Sequence, residues 1–222
     1  MLTRLIRNLT RLPARTLDSL ERRRAPSYRH LAQAKAHALE AIAPDRFAEL
    51  CAVPGNTSDW QCQLLFYFAD TAPAGDGQLV EIGAFQGKST AWLSEAARRT
   101  GKHLVSIDPL IQDSEAVFRE TVERFAIEEV ATLHKAFSHD VGADWRAPIA
   151  LLWIDGGHDY DTVKQDILDF CPHVQPGGVV VFDDINEPDF PGLVRAVNET
   201  IKQNPDFEHL GEIKNTGLYR RR

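Results

Sequence analysis

The chain has 222 residues, of which 43% are hydrophobic and 26% charged, and its net charge is −7 at pH 7. This composition is ordinary for a globular protein that is long enough to bury one full core. The negative charge argues against a general nucleic-acid binder, and no apolar run approaches the roughly 20 residues of a membrane-spanning helix. Three scattered cysteines without Cys-x-x-Cys spacing predict reduced thiols and a cytoplasmic protein.

The charge is distributed unevenly along the chain. Residues 1–24 carry seven arginines against Asp18 and Glu21, a local net charge of +5, and the remainder is therefore −12. Apolar residues recur at helical spacing up to Pro13. We expect an amphipathic helix that packs on the domain or on the second subunit of a homodimer. A transit peptide or a contact with a membrane surface is the alternative.

Two regions follow from the secondary-structure pattern. Residues 1–75 are predicted to be a helical N-terminal extension, with helices including Ala32–Ala43 and Gln61–Ala69. From residue 76 onwards, predicted strands and helices alternate. Alternation of this kind predicts an α/β fold, a mostly parallel seven-stranded sheet with helices on both faces.

The predicted elements of residues 76–222 follow from apolar runs, helix caps and turn residues. The predicted strands are Gln78–Ile82, His103–Asp108, Ala131–Lys135, Ile149–Ile154, Val179–Phe182, Phe207–Ile213 and Gly217–Arg221. The predicted helices are Ser89–Arg99, Ser114–Phe125, Asp161–Phe170 and Phe190–Gln203, and Pro176-Gly177-Gly178 is predicted to be a turn.

The segment Leu79–Thr90 is an apolar strand that passes through two glycines into a helix, which is typical of a nucleotide-binding loop. A phosphate-binding loop needs one more residue between Gly83 and Gly87, and a dinucleotide fingerprint needs a glycine where Phe85 stands. The carboxylate of Glu81 would repel a phosphate but suits a cofactor with a positive amino group. The spacing therefore disfavours an NTPase or a dehydrogenase.

Asp108 ends the second predicted strand, 21 residues beyond Gly87. A carboxylate at this place can accept hydrogen bonds from both ribose hydroxyls of an adenosine cofactor. Helix capping is the alternative role, because Pro109 follows directly.

Three carboxylates follow the fourth and fifth predicted strands: Asp155, Asp183 and Asp184. Carboxylates that converge at neighbouring strand ends repel one another unless a cation lies among them. Oxygen ligands favour Mg²⁺, with Mn²⁺ or Ca²⁺ as alternatives. Adjacent residues of a regular strand point to opposite faces, so Asp183 and Asp184 can both be ligands only if the strand breaks there. Helix capping by one of them is the alternative.

His158 lies three residues after Asp155, in a glycine-containing turn. A metal-bound hydroxyl is easier to deprotonate, and an imidazole is a suitable general base near neutral pH. We therefore predict that His158 is catalytic. The alternative is a histidine in a surface turn.

The pattern Glu81-x-Gly83-x-x-x-Gly87-x-Ser89 resembles motif I of the class I S-adenosylmethionine-dependent methyltransferases. Further segments resemble the family that includes macrocin-type sugar O-methyltransferases: Ile154–Tyr160, Asp166, Pro176–Gly178 and Phe182–Asp184. The acidic arrangement is similar to that of catechol O-methyltransferase, in which a lysine occupies the position of His158. The resemblance covers roughly Gln78 to Val197.

The resemblance implies a Rossmann-like fold and roles for further residues. Glu81 would face the methionine amino group, Gly83 and Gly87 would make room for the cofactor, and Phe85 and Ser89 belong to the same loop. After the third strand, Phe137 would pack on the adenine ring and Ser138 would bond its edge. In this fold the N-terminal extension often builds the acceptor pocket or an oligomer contact.

We therefore expect a cation-dependent O-methyltransferase that acts on a hydroxyl of a small molecule, such as a sugar, a glycoside or another natural product. A metal-independent N- or C-methyltransferase and a non-catalytic cofactor-binding protein are the alternatives. The methyl acceptor does not follow from the sequence.

Overall fold

The computed structural model describes residues 26–111 and 113–222, so the predicted arginine-rich helix of residues 1–24 lies outside the described residues. The α-helices are α1 Pro26–Ala41, α2 Pro44–Cys51, α3 Asp59–Asp70, α4 Lys88–Thr100, α5 Glu115–Arg124, α6 Ser138–Gly142, α7 Tyr160–Phe170 and α8 Pro191–Glu199. The strands are β1 Gln78–Ile82, β2 Leu104–Ile107, β3 Ala131–His134, β4 Ile149–Ile154, β5 Val174–Phe182, β6 Phe207–Ile213 and β7 Thr216–Arg221.

The seven strands form one sheet in the order β3-β2-β1-β4-β5-β7-β6. The first five strands in this order are parallel, and β7 pairs antiparallel with β5 and β6. This confirms the predicted Rossmann-like α/β fold with a mostly parallel sheet. The predicted N-terminal helices are also present at α1 and α3, whereas a domain boundary near residue 75 stays a prediction.

Helices cover both faces of the sheet because its strands are apolar on both sides. On one face, Phe66 of α3 and Trp92 of α4 are buried in the same cluster as Leu151 of β4. On the other face, Phe170 of α7 is buried with Leu152 of β4. Alternate side chains of one strand therefore serve two separate cores, as a central parallel strand requires.

The segment Pro176-Gly177-Gly178 is not a turn between elements, as the sequence predicted, but part of β5. The pairing of β5 with β4 passes from Val174 opposite Ile149 directly to Val179 opposite Leu151. The intervening residues form a bulge, in which Gly177 has a φ of +81°. A bulge absorbs extra residues without ending the strand.

The last predicted helix is shorter than expected. Helix α8 ends at Glu199, and a separate 3₁₀ turn covers Ile201–Gln203. Thr200 between them has φ −114° and ψ −92°, which is outside the helical region and interrupts the helix.

Four acidic residues end four neighbouring strands of the sheet. Glu81 lies in β1, Asp108 and Asp155 directly follow β2 and β4, and Asp183 directly follows β5. Because these strands are parallel, all four residues come to the same edge of the sheet, where ligands of open α/β sheets bind.

Within the described ranges, none of the helices is long and apolar enough to cross a membrane.

Asp166 of α7 is a buried acid. Burial raises its pKa to about 6, although the nearby hydroxyl of Ser138 lowers it. No hydrogen bond of good geometry reaches either carboxylate oxygen from the described residues. The folded state therefore prefers the neutral acid.

Asp166 should make the protein less stable as the pH rises. Because its folded pKa lies above the unfolded value of 3.8, the folded state binds more protons between these values. A difference of about two pKa units corresponds to about 3 kcal/mol, lost between pH ~4 and ~6. Urea unfolding across this range should show a much smaller loss for Asp166→Asn than for the unaltered chain. Asp161→Asn, on the exposed side of α7, is the control and should keep the full loss of free energy of unfolding. An equal dependence of this free energy on pH in all three proteins would contradict the raised pKa of Asp166.

Candidate active site

The two glycines of the loop after β1 are required by the packing of the protein itself. Gly83 has a φ of +95°, and a Cβ on it would lie 2.0 Å from the backbone oxygen of Asp155. A Cβ on Gly87, where φ is +89°, would lie 3.0 Å from the Thr121 side chain. The glycines therefore allow a close approach between β1 and β4 and between the loop and α5, and their role in making room for a cofactor stays a prediction.

Glu81 is completely buried beneath this loop. Its Oε2 accepts hydrogen bonds from the hydroxyls of Thr90 at 2.6 Å and Ser106 at 2.7 Å. Burial raises the pKa of Glu81, and the nearby hydroxyls of Ser106, Ser89 and Thr90 oppose that shift. The second oxygen, Oε1, is buried and has no hydrogen-bond partner among the described residues. An orphaned acceptor at this place fits a ligand that brings its own donor.

Asp108 is held by backbone groups from two loops. Its Oδ2 accepts from the N–H of Phe85 at 2.8 Å, and its Oδ1 accepts from the N–H of Leu110 at 2.6 Å. Phe85 and Leu110 have φ values of +48° and +51°, a strained conformation for residues with a side chain. The strain is consistent with a carboxylate that is fixed for binding, and each oxygen keeps a lone pair for a further donor.

Phe137 and Ser138 follow β3 and lie close to the same edge of the sheet. Phe137 is 53% exposed, and its ring stacks on His139 with the centroids 5.6 Å apart. Ser138 is buried at the first residue of α6. An exposed aromatic ring beside a buried hydroxyl suits the face and edge of a planar base.

A candidate metal cluster is formed by Asp155, His158 and Asp184. One ligand atom from each of the three lies within 4.8 Å of the others. The strand does break here, as two adjacent ligands would require, because Asp184 follows the end of β5 with a φ of +56°. The side-chain amide of Asn215 donates to Asp184 Oδ1 at 2.7 Å and so orients that carboxylate.

Asp183, the third predicted ligand, lies next to this cluster but is not one of its three members. It is 9% exposed, and its Oδ1 accepts hydrogen bonds from Gln61 Nε2 at 2.8 Å and from Thr216 Oγ1 at 3.1 Å. The structure therefore separates the two adjacent aspartates: Asp184 joins His158, and Asp183 is anchored to α3 and β7.

The electrostatics of the cluster favour a cation. Burial raises the pKa of Asp155 well above its usual range, and the carboxylates of Asp183 and Asp184 raise it further. Burial and the carboxylate of Asp184 also raise the pKa of Asp183, although hydrogen bonds from Gln61 and Thr216 oppose that shift. Within the described residues, no donor forms a hydrogen bond with the Asp155 carboxylate. Two carboxylates and an imidazole are a donor set that fits Mg²⁺ or Mn²⁺.

His158 is held in place by a stacked aromatic ring. Its imidazole lies parallel to Phe190, with the ring centroids 4.0 Å apart and an interplanar angle of 8°. Nε2 lies 3.4 Å from Asp184 Oδ2, and it is buried without a hydrogen bond to any residue that the structure describes. The geometry leaves this nitrogen available for a proton or for a metal.

Several residues of the site were missed by the sequence analysis. These are Gln61, Asn215 and Thr216, which hold Asp183 and Asp184, and Phe190, which stacks on His158. None of them stands out in the sequence, since Gln61 shares α3 with the polar residues Asp59, Gln63 and Asp70.

Comparisons with known proteins give a family for the central part of the chain. A family described as "Methyltransferase domain" matches residues 80–185. The uncharacterised protein R132 of Acanthamoeba polyphaga mimivirus is 30% identical over 155 residues, which cover 66% of this chain and 69% of the relative.

Solved structures share the fold. An O-methyltransferase from Bacillus cereus in complex with SAH superposes with a TM-score of 0.63 at 17% identity, covering 86% of this chain and 97% of that one. CalS11, a TDP-rhamnose 3′-O-methyltransferase of calicheamicin biosynthesis, superposes with a TM-score of 0.57 at 15% identity, covering 98% and 91%.

Gly83→Ala should destabilise the protein strongly, because the new Cβ would overlap the carbonyl of Asp155. We expect a loss of at least about 3 kcal/mol in the free energy of unfolding, measured with urea. Gly101→Ala is the matched control: Gly101 also has a positive φ of +70°, but no atom of the described chain lies within 4 Å of its Cβ. That variant should lose only about 1 kcal/mol, the cost of the backbone conformation. Similar losses in both would contradict the close approach of β1 and β4.

Proposed function

Since this chain belongs to the methyltransferase domain family that matches its residues 80–185, we propose that it transfers a methyl group from S-adenosylmethionine to a hydroxyl of a small molecule. The observation that carries the proposal is that three groups meet at one edge of the sheet. They are a carboxylate placed to bind a ribose, a buried acceptor oxygen without a hydrogen-bond partner among the described residues, and a histidine that lies beside carboxylates. O-methylation is favoured because the compared structures include a Bacillus cereus O-methyltransferase and a sugar O-methyltransferase.

The cofactor end of the site is formed by the loops after β1, β2 and β3. Glu81 would accept from the amino group through Oε1, and Asp108 would accept from the ribose hydroxyls. Phe137 and Ser138 would contact the adenine. S-adenosylmethionine supplies an activated methyl group on a sulfonium, so the chain needs only to position the acceptor and remove its proton.

His158 is the proposed general base. Its Nε2 would take the proton of the acceptor hydroxyl, the oxygen would form a bond to the methyl carbon, and the carbon–sulfur bond would break with its electrons left on sulfur. The stacking of Phe190 holds the imidazole for this role, since a base must lie within hydrogen-bond reach of its proton.

A divalent cation, Mg²⁺ or alternatively Mn²⁺ or Ca²⁺, is proposed at Asp155 and Asp184, with Asp183 beside them. A cation there would offset the mutual repulsion of the carboxylates and lower the pKa of the acceptor hydroxyl. The support is Asp155, a half-buried acid that has carboxylates around it and no donor to balance them within the described residues.

We further expect the protein to act in the cytoplasm, since Cys51, Cys62 and Cys171 are all unpaired thiols. A homodimer, a membrane-surface contact and an acceptor pocket built by the N-terminal extension remain predictions from the sequence.

S-adenosylhomocysteine should bind the purified chain in calorimetry with and without a chelator, since the proposed cofactor contacts need no metal.

His158→Ala should retain the affinity for S-adenosylhomocysteine but lower methyl transfer to a responsive sugar or catechol acceptor by about 10²- to 10⁴-fold, the usual contribution of a general base. An unchanged rate would exclude His158 as the base. A parallel loss of Mn²⁺ affinity would show that it is a ligand instead. Absence of S-adenosylhomocysteine binding would reject the cofactor assignment.

Asp184→Asn should weaken cation binding, because the variant removes a charged member of the cluster. We expect the affinity for Mn²⁺, followed by the electron paramagnetic resonance of the free ion, to fall by at least about tenfold, a loss typical of a disturbed metal site. Asp189→Asn is the control, since Asp189 is exposed and lies outside the cluster. Equal Mn²⁺ affinity in the two variants would contradict the site.

A further inference from the structure

The first turn of α3 contacts three elements that carry the proposed site. Asp59 Oδ1 lies 2.7 Å from Nζ of Lys88, the first residue after the glycine loop. The ring of Trp60 lies 5.1 Å from Nζ of Lys214, in the turn between β6 and β7. Gln61 reaches Asp183 at the end of β5. One helical turn of the N-terminal region therefore touches both the start of α4, directly after the glycine loop, and Asp183, beside the acidic cluster.

The side chain of Gln61 is fully used in hydrogen bonds. It is 5% exposed. Its Oε1 accepts from the backbone N–H of Ser58 at 2.9 Å, which is one half of a capping box, and also from the Ser58 hydroxyl at 2.6 Å. Its Nε2 donates to Asp183 Oδ1 at 2.8 Å and to Thr216 Oγ1 at 3.0 Å. Because the oxygen is bound by two donors, the amide cannot turn over, and its NH₂ group must face Asp183.

The side-chain donors reach only one of the two oxygens of Asp183, and the backbone N–H of Asp184 is a further donor to this carboxylate. Gln61 and Thr216 both donate to Oδ1, and no side chain of residues 26–111 or 113–222 donates to Oδ2. Both donors are neutral, so they orient the carboxylate without cancelling its charge. A charged lysine or arginine in the same place would compete with a cation for Asp183.

We propose that Gln61 is a positioning residue, which with Thr216 holds Asp183 by Oδ1 and leaves Oδ2 for the divalent cation at Asp155 and Asp184. Helix α3 is then part of the cation site and not only a cover of the sheet. The inference rests on the proposed function, since it assumes the cation. Partners of this kind that orient a ligand typically change metal affinity by 10- to 100-fold.

The test is the affinity of the full chain for Mn²⁺, by electron paramagnetic resonance of the free ion, in the presence of S-adenosylhomocysteine. Gln61→Met keeps the size of the side chain and removes its hydrogen bonds, and we expect the Mn²⁺ dissociation constant to rise by about 10- to 100-fold. Thr216→Val, which removes one hydroxyl, should raise it by a smaller factor. S-adenosylhomocysteine affinity should be unchanged in both variants.

Ser58→Ala is the matched control for helix capping. It removes the cap hydroxyl, but the backbone N–H of residue 58 still binds Gln61 and the NH₂ group still faces Asp183. This variant should melt at a lower temperature and keep the Mn²⁺ affinity of the unaltered chain. An equal loss of Mn²⁺ affinity in Ser58→Ala would show general destabilisation and overturn the proposal.

The other outcomes separate this inference from the proposed function. Unchanged Mn²⁺ affinity in Gln61→Met overturns the inference alone, and if that variant does not fold, unchanged affinity in Thr216→Val overturns it equally. S-adenosylhomocysteine binding without Mn²⁺ binding by the unaltered chain overturns the cation site and this inference together but leaves the cofactor assignment. Loss of both kinds of binding overturns the proposed function itself.

Discussion

The repulsion among carboxylates at one edge of the sheet is the constraint on which the rest of the site depends. Glu81, Asp108, Asp155 and Asp183 end neighbouring parallel strands, and Asp184 adds a fifth acid. Burial and mutual proximity raise the pKa values of Glu81, Asp155 and Asp183, so ionising them in the folded state costs free energy. A fold that keeps such acids together needs donors, backbone dipoles or cations to compensate them.

The groups that compensate the acids differ from one acid to the next, and these differences divide the site into two parts. Glu81 receives two hydroxyls on one oxygen, and Asp108 receives two backbone N–H groups from strained loops. Asp183 is held by α3 and β7. Asp155 receives no donor from the described residues, which makes it the centre of the proposed cation site. In the proposed cofactor-binding part of the site, donors of the protein therefore hold the acids in place. In the proposed acceptor-binding part, a compensating positive charge is missing.

Packing within the protein requires the two glycines of the loop after β1 independently of any ligand. Gly83 is needed because β1 approaches the backbone of Asp155, and Gly87 because the loop approaches α5. These contacts hold the cofactor loop against the strand that carries the acidic cluster. The contacts of Asp59, Trp60 and Gln61 add the N-terminal helices to the same assembly.

The sequence by itself determined the order and type of the strands, the glycine loop and the acids at the strand ends, because these depend on local periodicity and on the geometry of parallel sheets. It predicted a turn at Pro176–Gly178 wrongly, since a bulge is decided by pairing with β4. Only the tertiary structure decided which oxygen of Asp183 is bonded, which aspartate joins His158 and which ring supports the imidazole. The partners Gln61, Thr216 and Phe190 lie 122, 33 and 32 residues from the groups they hold, and no local pattern records such contacts.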